Sequence, residues 1–465
     1  MKIKITFQKY KSQLSVNNIM KKPLIALLML ISLGSHSQGT DNVMQFSIKE
    51  AIDFSFQHQK DVLNSQLDVE IANSQVKETI GMGLPQISAS FDVKDYVKIP
   101  VSLIPAEFFG GDAGTYTAVQ FGTQWNATAG LNASQLIFEP SYLVGVQAAK
   151  TFKELSIKNN DRTKLETAVN VTKAYYMVLL MRDRKKVIDA NVNRLEKYNS
   201  DIKSMYENGF VEKVDVDRIQ VTYNNVLSEQ EKFQRLIEIT EGNLKLQMGL
   251  PQASTINLTD SLNADEIKTI GISLDKASPE KRIEYALLKT QEKIQEYNVK
   301  RYKVQYLPSL VAYGNLSTSA QRTEFNIFDP AYKWYPVGII GATLSLNLFD
   351  GLQREYKIRH EKLSLRKIKN EITYFEDAIE LQVSSSRSSL ANAISALKIQ
   401  EQNLDLANSV TNTSKIKYDQ GVGSNLEVLN AETSLKEAQS NYYNALYDAI
   451  LAKIDLDKAL GNFKY

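Results

Sequence analysis

A run of sixty-nine residues without Gly or Pro, residues 352–420, most constrains the fold of this chain. At 1.5 Å per residue an unbroken helix of that length extends about 100 Å, several times an average globular helix. A helix that long needs a partner. After a glycine-bearing turn at residues 418–429 a second run continues to Gly461, and its apolar and small residues are spaced by three and four. These residues are Leu435, Ala438, Tyr442, Ala445, Ala449, Ala452, Leu456, Ala459 and Phe463. This spacing predicts a long antiparallel helical hairpin over residues 351–461.

The first half of the chain repeats this pattern. Residues 146–208 contain no Gly, a turn follows at residues 206–216, and the helical pattern resumes to Gly249. Matching positions recur at an offset of 211 for Phe138 and Phe349 and of 212 for Gly209 and Gly421. We therefore predict two copies of one unit, each a helix, two strands and a long helical hairpin. The copies cover residues 46–250 and 279–463, with hairpins at 140–249 and 351–461 and a linker at 251–278.

Between the helical stretches the apolar period changes to two, which predicts strand pairs at residues 86–137 and 309–349. Alternation is longest over residues 121–134, with apolar side chains on one face and mostly Ser, Thr, Asn and Gln on the other. Such strands suit a half-buried soluble sheet or an outer-membrane barrel whose apolar face meets lipid. The two tryptophans, Trp125 and Trp334, lie near equivalent points of the pairs, where a membrane-interface aromatic girdle is expected.

Four strands cannot close in lipid, because open edges leave backbone groups without hydrogen bonds. A membrane-spanning version therefore requires several chains to share one barrel. Two chains supply eight strands around a side-chain-filled interior, whereas three supply twelve around a lumen.

The N-terminal segment has the composition of a secretory signal peptide. Two lysines after Met20 precede a short apolar run and then small polar residues, so residues 1–37 are predicted to be a cleaved leader that starts at Met1 or Met20. This leader holds six lysines and no acidic residue, so its removal changes the formal charge from +2 to about −4. The mature chain thus has no basic surplus that favours nucleic acid. No later stretch is apolar enough for a spanning helix, so a membrane crossing has to use strands.

An enzymatic function is not expected. The chain has no Cys, which excludes disulfides and a lipidated N-terminal cysteine, and only His58 and His360 remain after the leader. These histidines are far apart and form no metal or nucleophile cluster. We therefore predict no catalytic residue, no metal and no cofactor.

Three segments carry a family resemblance: LPSL at residues 307–310, NLFDG at 347–351, and the stretch from YDQG at 418–421 to Leu460-Gly461. In their order and duplication the chain resembles the TolC-type outer-membrane efflux proteins over residues 46–463. The resemblance implies a mainly α fold with a transmembrane β-barrel. It implies a homotrimer that shares a 12-stranded barrel in outer-membrane lipid, above a periplasmic α-helical coiled-coil barrel. Such channels are exit ducts for efflux or type I secretion. They work with a periplasmic adaptor (membrane fusion) protein and an inner-membrane efflux pump or ABC exporter.

The resemblance also implies roles for the two turns, which in the family form the periplasmic tip. It assigns adaptor docking to Gly209, Phe210, Val211, Gly421, Val422 and Gly423. It assigns the gate and constriction to Asp215, Glu427 and Asn430. Three Glu427 carboxylates around one axis would form a cation-selective ring, although an acid there also fits a helix N-terminus. Two positions depart from the family. Gly423 stands where some members have a basic residue, and Asn430 stands where the family has an acid.

A soluble periplasmic coiled-coil adaptor or structural protein is the alternative. Adaptors have a helical hairpin, but generally one per chain, whereas this sequence predicts two hairpins and two long amphipathic strand pairs. The residues of a wide polar duct do not encode its cargo, and they do not identify its pump.

Overall fold

The computed structural model describes residues 43–262, 265 and 276–464. The predicted leader lies outside the described residues, and so does much of the predicted linker. The strands, in chain order, are β1 (Met44–Phe46), β2 (Gln86–Asp95), β3 (Val101–Pro105), β4 (Tyr116–Gln120), β5 (Trp125–Phe138), β6 (Ile256–Leu258), β7 (Ser309–Arg322) and β8 (Tyr335–Ser345). The helices are α1 (Ile48–His58), α2 (Lys60–Gly81), α3 (Pro140–Glu207), α4 (Lys213–Met248), α5 (Ile283–Val304), α6 (Gln353–Asp419) and α7 (Asn425–Leu460).

The two longest helices, α3 and α6, run from the sheet to the far end of the molecule, and α4 and α7 return along them. Nearest the sheet the helices lie in the order α2, α3, α5, α6, and toward the turns in the order α4, α3, α7, α6. The predicted seam of α7 is confirmed, since Leu435, Ala449 and Leu456 are fully buried. In the described part of the chain, no helix combines the length and hydropathy needed to cross a membrane.

The main sheet has four antiparallel strands in the order β2, β5, β7, β8. Ala127 of β5 is registered against both Val93 and Ala320, so these side chains share one face. Extended along the register, that face is mostly apolar. Its apolar members include Ile87, Ala89, Phe91, Val93, Ala127, Ala129, Leu131, Ala133, Ala312, Leu316, Ala320, Ile340, Ala342 and Leu344. We call it the apolar face.

The opposite face is lined mainly by small polar side chains. Asn315 donates to Asn132 Oδ1 across the β5–β7 pair at 2.6 Å, and Ser317 donates to Asn315 Oδ1 at 2.9 Å. The predicted separation of apolar and polar side chains is clear in β2 and β5 and over most of β7. β8 departs from it, because Val337 and Ile339 are registered against Ser317 and Asn315 on the polar face. The long connection between β2 and β5 contains its own hairpin, β3 and β4.

The apolar pattern predicts that the first copy opens with one helix over residues 46–82. This prediction is wrong in one respect, because the segment forms two helices. Phe46 belongs to β1, and the helix breaks at Gln59, whose side-chain oxygen caps α2 by accepting from the backbone nitrogens of Asp61 and Val62. A Cβ atom on Gly249 would lie 2.5 Å from the carbonyl oxygen of His58, so the end of α4 occupies space beside this junction.

Two strand boundaries also differ from the prediction. β5 begins at Trp125 rather than at residue 121. Residues 121–124 bend away from the strand direction, and Asn126 Nδ2 donates to the carbonyl of Thr123 at 3.1 Å. β8 ends at Ser345, before Leu348. Beyond it, Arg354 donates to the carbonyl oxygen of Asn347 at 2.8 Å, which ties this segment to the start of α6.

Candidate functional site

The two interhelical turns share one backbone geometry. Gly209 and Gly421 have positive φ values of 81° and 74°, which favour glycine, directly after the last turn of α3 and α6. The next amide closes the helix in each case. Phe210 N donates to the carbonyl of Met205 at 2.9 Å, and Val422 N donates to that of Lys417 at 3.0 Å. Both helices therefore end in a Schellman motif.

The side chains that follow these glycines point into solvent. Phe210 is 78% exposed and Val422 is 76% exposed, whereas Val211 packs against the helical core. Gly423 lies close to α6, since a Cβ atom there would be 3.0 Å from the backbone nitrogen of Tyr418. Each turn thus presents one apolar side chain on a tightly hydrogen-bonded loop, a form suited to insertion into a partner.

Asp215 lies in the first turn of α4, and the structure brings it to the start of α7. Asn425 Nδ2 donates to Asp215 Oδ1 at 3.1 Å, and Tyr198 on α3 donates its hydroxyl to Asn425 Oδ1 at 2.9 Å. Arg218 approaches the same Asp215 oxygen at 4.0 Å. We call Tyr198, Asn425 and Asp215 the tip network. It joins the first hairpin to the second.

Glu427 and Asn430 are exposed on α7 and lie outside the tip network. The backbone nitrogen of Glu427 donates to Ser424 Oγ at 3.2 Å, so Ser424 caps α7 and Glu427 occupies the third helical position. A carboxylate at this position interacts favourably with the helix dipole. The site therefore separates into one predicted residue, Asp215, that holds the hairpins together and two that face solvent.

A second set of contacts joins α3 to α7 farther from the tip. Arg194 donates to Glu432 at 2.6 Å, and Asn191 donates to Gln439 at 2.8 Å. Sequence reasoning did not single out these residues, nor did it assign a role to Tyr198. A polar residue on the buried side of a helix could have pointed to these contacts, since Asn191 on α3 and Glu432 on α7 are both buried.

Burial changes the acidity of the tyrosines at this junction. It raises the pKa of Tyr198, and the negative charges of Asp215 and Glu432 add to the effect. Burial also raises the pKa of Tyr418, whose ring meets that of Tyr198 edge-on at a centroid distance of 5.8 Å. Both hydroxyls therefore stay protonated at neutral pH. Tyr198 remains a hydrogen-bond donor to Asn425.

The two histidines outside the leader occupy separate environments. The His58 ring stacks on Phe54 at 3.8 Å, and His360 Nδ1 lies 3.2 Å from Glu361 Oε1. Within the residues that the structure describes, no three His, Cys, Asp or Glu side chains are grouped closely enough to hold a metal ion.

Trp125 and Trp334 both lie at the end of the sheet remote from the helices. Both pack against a small cluster of Ala127, Ala320 and Ile327. The structure thus places the predicted interface aromatics together, at one level of the apolar face.

Comparisons with known proteins agree on one family and fold. Residues 289–462 match the family described as outer membrane efflux protein. Outer membrane protein TolC of Vibrio cholerae serotype O1 is 20% identical over 337 residues, which cover 72% of this chain and 76% of that protein. The crystal structure of VceC from Vibrio cholerae has a TM-score of 0.68 at 16% identity, over 89% of this chain and 96% of that one. The Campylobacter jejuni CmeC outer membrane channel has a TM-score of 0.69 at 14% identity, over 90% and 86%.

Proposed function

We propose that this chain is a subunit of an outer-membrane efflux channel, since residues 289–462 match the outer membrane efflux protein family. The main supporting observation is the apolar face. Ile340, midway along β8, is 95% exposed, and Ile87, Leu316 and Leu344 are also largely exposed. Burial of one such side chain is favourable by about 1.5–3 kcal/mol. A face of this composition needs an apolar partner, and bilayer hydrocarbon is one.

The sheet also needs further strands. β2 and β8 are its terminal strands, and their outer edges have no strand beside them in the described chain. In lipid such edges require pairing, so we propose that β2 of one copy pairs with β8 of the next. Three copies then supply a 12-stranded barrel with a lumen. The small polar side chains of the second face line this lumen.

The helical layer also has two edges at which apolar side chains are exposed. Exposed apolar residues lie on α6, including Leu363, Tyr374 and Leu381, and on α4, including Val221, Ile239 and Leu246. A homotrimer covers both edges by packing α6 of one copy against α2 and α4 of its neighbour. The result is a periplasmic coiled-coil barrel continuous with the sheet, in a protein exported by its signal peptide.

At the tip we propose two roles. Phe210 and Val422, with Gly209, Val211, Gly421 and Gly423, form the turns that dock a periplasmic adaptor linked to an inner-membrane efflux pump or ABC exporter. Asp215 holds the hairpins closed through the tip network, and Glu427 and Asn430 face the narrow axis. The channel is thus a passive duct, gated by separation of its hairpins.

Membrane fractionation tests this function against the soluble alternative. We expect the protein in the outer-membrane fraction, resistant to carbonate extraction, and cross-linked as a trimer. A cysteine pair across the proposed β2–β8 junction tests the copy-to-copy pairing. Ser90→Cys is combined with Ile339→Cys, and the second position is then moved along β8 in steps of two residues, which keep both cysteines on one face of the sheet. Recovery in the soluble periplasmic fraction would favour an adaptor or structural protein.

A further inference from the structure

The connection between β7 and β8, residues 323–334, folds back onto the sheet. Ile327 is 1% exposed because it packs over Ala127 and Ala320, which are themselves fully buried. Ala127 and Ala320 belong to the apolar face by their register. The connection therefore covers the outer end of the face that carries Leu316 and Ile340, rather than the polar face that lines the proposed lumen.

Polar and ring contacts hold this connection in place. Arg322, only 7% exposed, donates to the carbonyl oxygen of Lys333 at 3.1 Å, and its guanidinium lies 5.2 Å from the centre of the Tyr332 ring. Trp125, registered opposite Arg322, meets the Phe325 ring edge-on at 4.7 Å. Both ends of the connection are thus tied to the strands beneath it.

The outer surface of the connection is aromatic. Phe325 is 60% exposed and Phe328 is 73% exposed, although Ile327 between them is buried. The Phe328 ring also lies 6.2 Å from that of Phe91, in the apolar face. We call Phe325, Phe328 and Tyr332 the aromatic pad. Aromatic rings next to charged residues, here Glu324, Asp329 and Lys333, are typical of the boundary between hydrocarbon and water.

We infer that the aromatic pad is a lipid-contact surface on the outside of the channel, seated at the headgroup boundary of the outer leaflet. It rests on the proposed function, because it requires the apolar face to meet lipid. The pad continues that face without a break, so the same lipid partner serves both. This assignment removes residues 323–334 from the channel mouth and leaves the β3–β4 hairpin as the connection that projects beyond the membrane.

Intrinsic fluorescence can test this inference, because both tryptophans of the chain pack beneath the pad. The wild-type protein is reconstituted into phosphatidylcholine vesicles that carry bromine on the acyl chains, either near the headgroup or near the bilayer centre. We expect the emission of Trp125 and Trp334 to fall more with the shallow bromines than with the deep ones. Loss of emission only with acrylamide, a water-soluble quencher, would overturn the inference.

Single-tryptophan variants separate this inference from the proposed function. In a Trp125→Phe, Trp334→Phe background, Phe328→Trp reports the pad, Ile340→Trp reports the middle of the apolar face, and Tyr116→Trp reports the β3–β4 hairpin. We expect shallow-bromine quenching for Phe328→Trp, deep-bromine quenching for Ile340→Trp, and acrylamide quenching alone for Tyr116→Trp.

The remaining outcomes are also decisive. If Ile340→Trp is quenched by bromine but Phe328→Trp only by acrylamide, the pad faces water and the inference fails. If neither quencher reaches Phe328→Trp, a neighbouring copy covers the pad. The pad then does not contact lipid, and the inference fails. If bromine does not reach Ile340→Trp, the sheet is not in lipid, and the proposed function fails together with the inference.

Discussion

Asn425 donates its side-chain amide to the carboxylate of Asp215 at 3.1 Å, across the junction between the two helical hairpins. The two residues are 210 positions apart in the chain. Because Tyr198 donates to the other end of the same amide at 2.9 Å, one side chain joins α3, α4 and α7. Separation of the hairpins at the tip has to break these contacts.

Replacement of Asn425 by Ala should therefore loosen the closed tip. The variant loses two hydrogen bonds and leaves Tyr198 without its acceptor, at a cost of about 1–3 kcal/mol. We expect a higher single-channel conductance in planar bilayers. The control is Asn403→Ala, at an exposed residue of α6 whose side-chain amide donates to Gln400 of the same helix at 3.4 Å. Equal conductance in the two variants would contradict a role for the tip network in closure.

Glu427→Gln should lower cation selectivity without much loss of stability. The exposed carboxylate contributes charge to the proposed constriction, whereas its interaction with the helix dipole is worth about 0.3–1 kcal/mol. Reversal potentials in a salt gradient measure the selectivity, and Glu437→Gln, exposed on the same helix, is the matched control. If selectivity stays unchanged while the helix melts earlier, Glu427 acts only at the N-terminus of α7.

Gly249→Ala should destabilise the protein more than Gly209→Ala. The φ values are 78° and 81°, so the intrinsic cost of a left-handed alanine, about 1–2 kcal/mol, is the same at both sites. A Cβ atom at Gly209 meets open space, but at Gly249 it would lie 2.5 Å from the His58 carbonyl oxygen. Urea unfolding followed by helical circular dichroism measures the difference. Equal urea midpoints for the two variants would contradict the prediction, because they would mean that the α1–α2 junction accommodates the added methyl group without cost.

The stability contributed by Asp350 should depend on pH. Burial by itself raises the pKa of this carboxyl, but hydrogen bonds from the Arg354 side chain and backbone outweigh it and hold the pKa below its ordinary value. A depressed pKa gives stability that is present above the unfolded-state value of about 3.9 and is lost as pH falls through the folded-state value. Asp350→Asn should therefore be less stable than the wild type at pH 7, and the gap should narrow at pH 3. A gap that is the same at both pH values would contradict this assignment.

Much of the architecture follows from local patterns. The absence of Gly and Pro over residues 352–420 predicts the long helix α6, and the spacing of Leu435, Ala449 and Leu456 predicts which side of α7 is buried. Strand alternation likewise predicts the two faces of the sheet. These signals are readable because helix period and strand period are properties of neighbouring residues. The glycines at the turns are readable for the same reason.

The tertiary structure decided what depends on residues far apart in the chain. The sequence by itself determined two helical hairpins, amphipathic strands and the position of Asp215 near a turn. It did not determine that Asp215 meets Asn425, that the end of α4 packs against a helix break at Gln59, or that Ile327 folds down onto Ala127 and Ala320. No local pattern encodes such contacts, because each depends on how separate elements pack once they have formed.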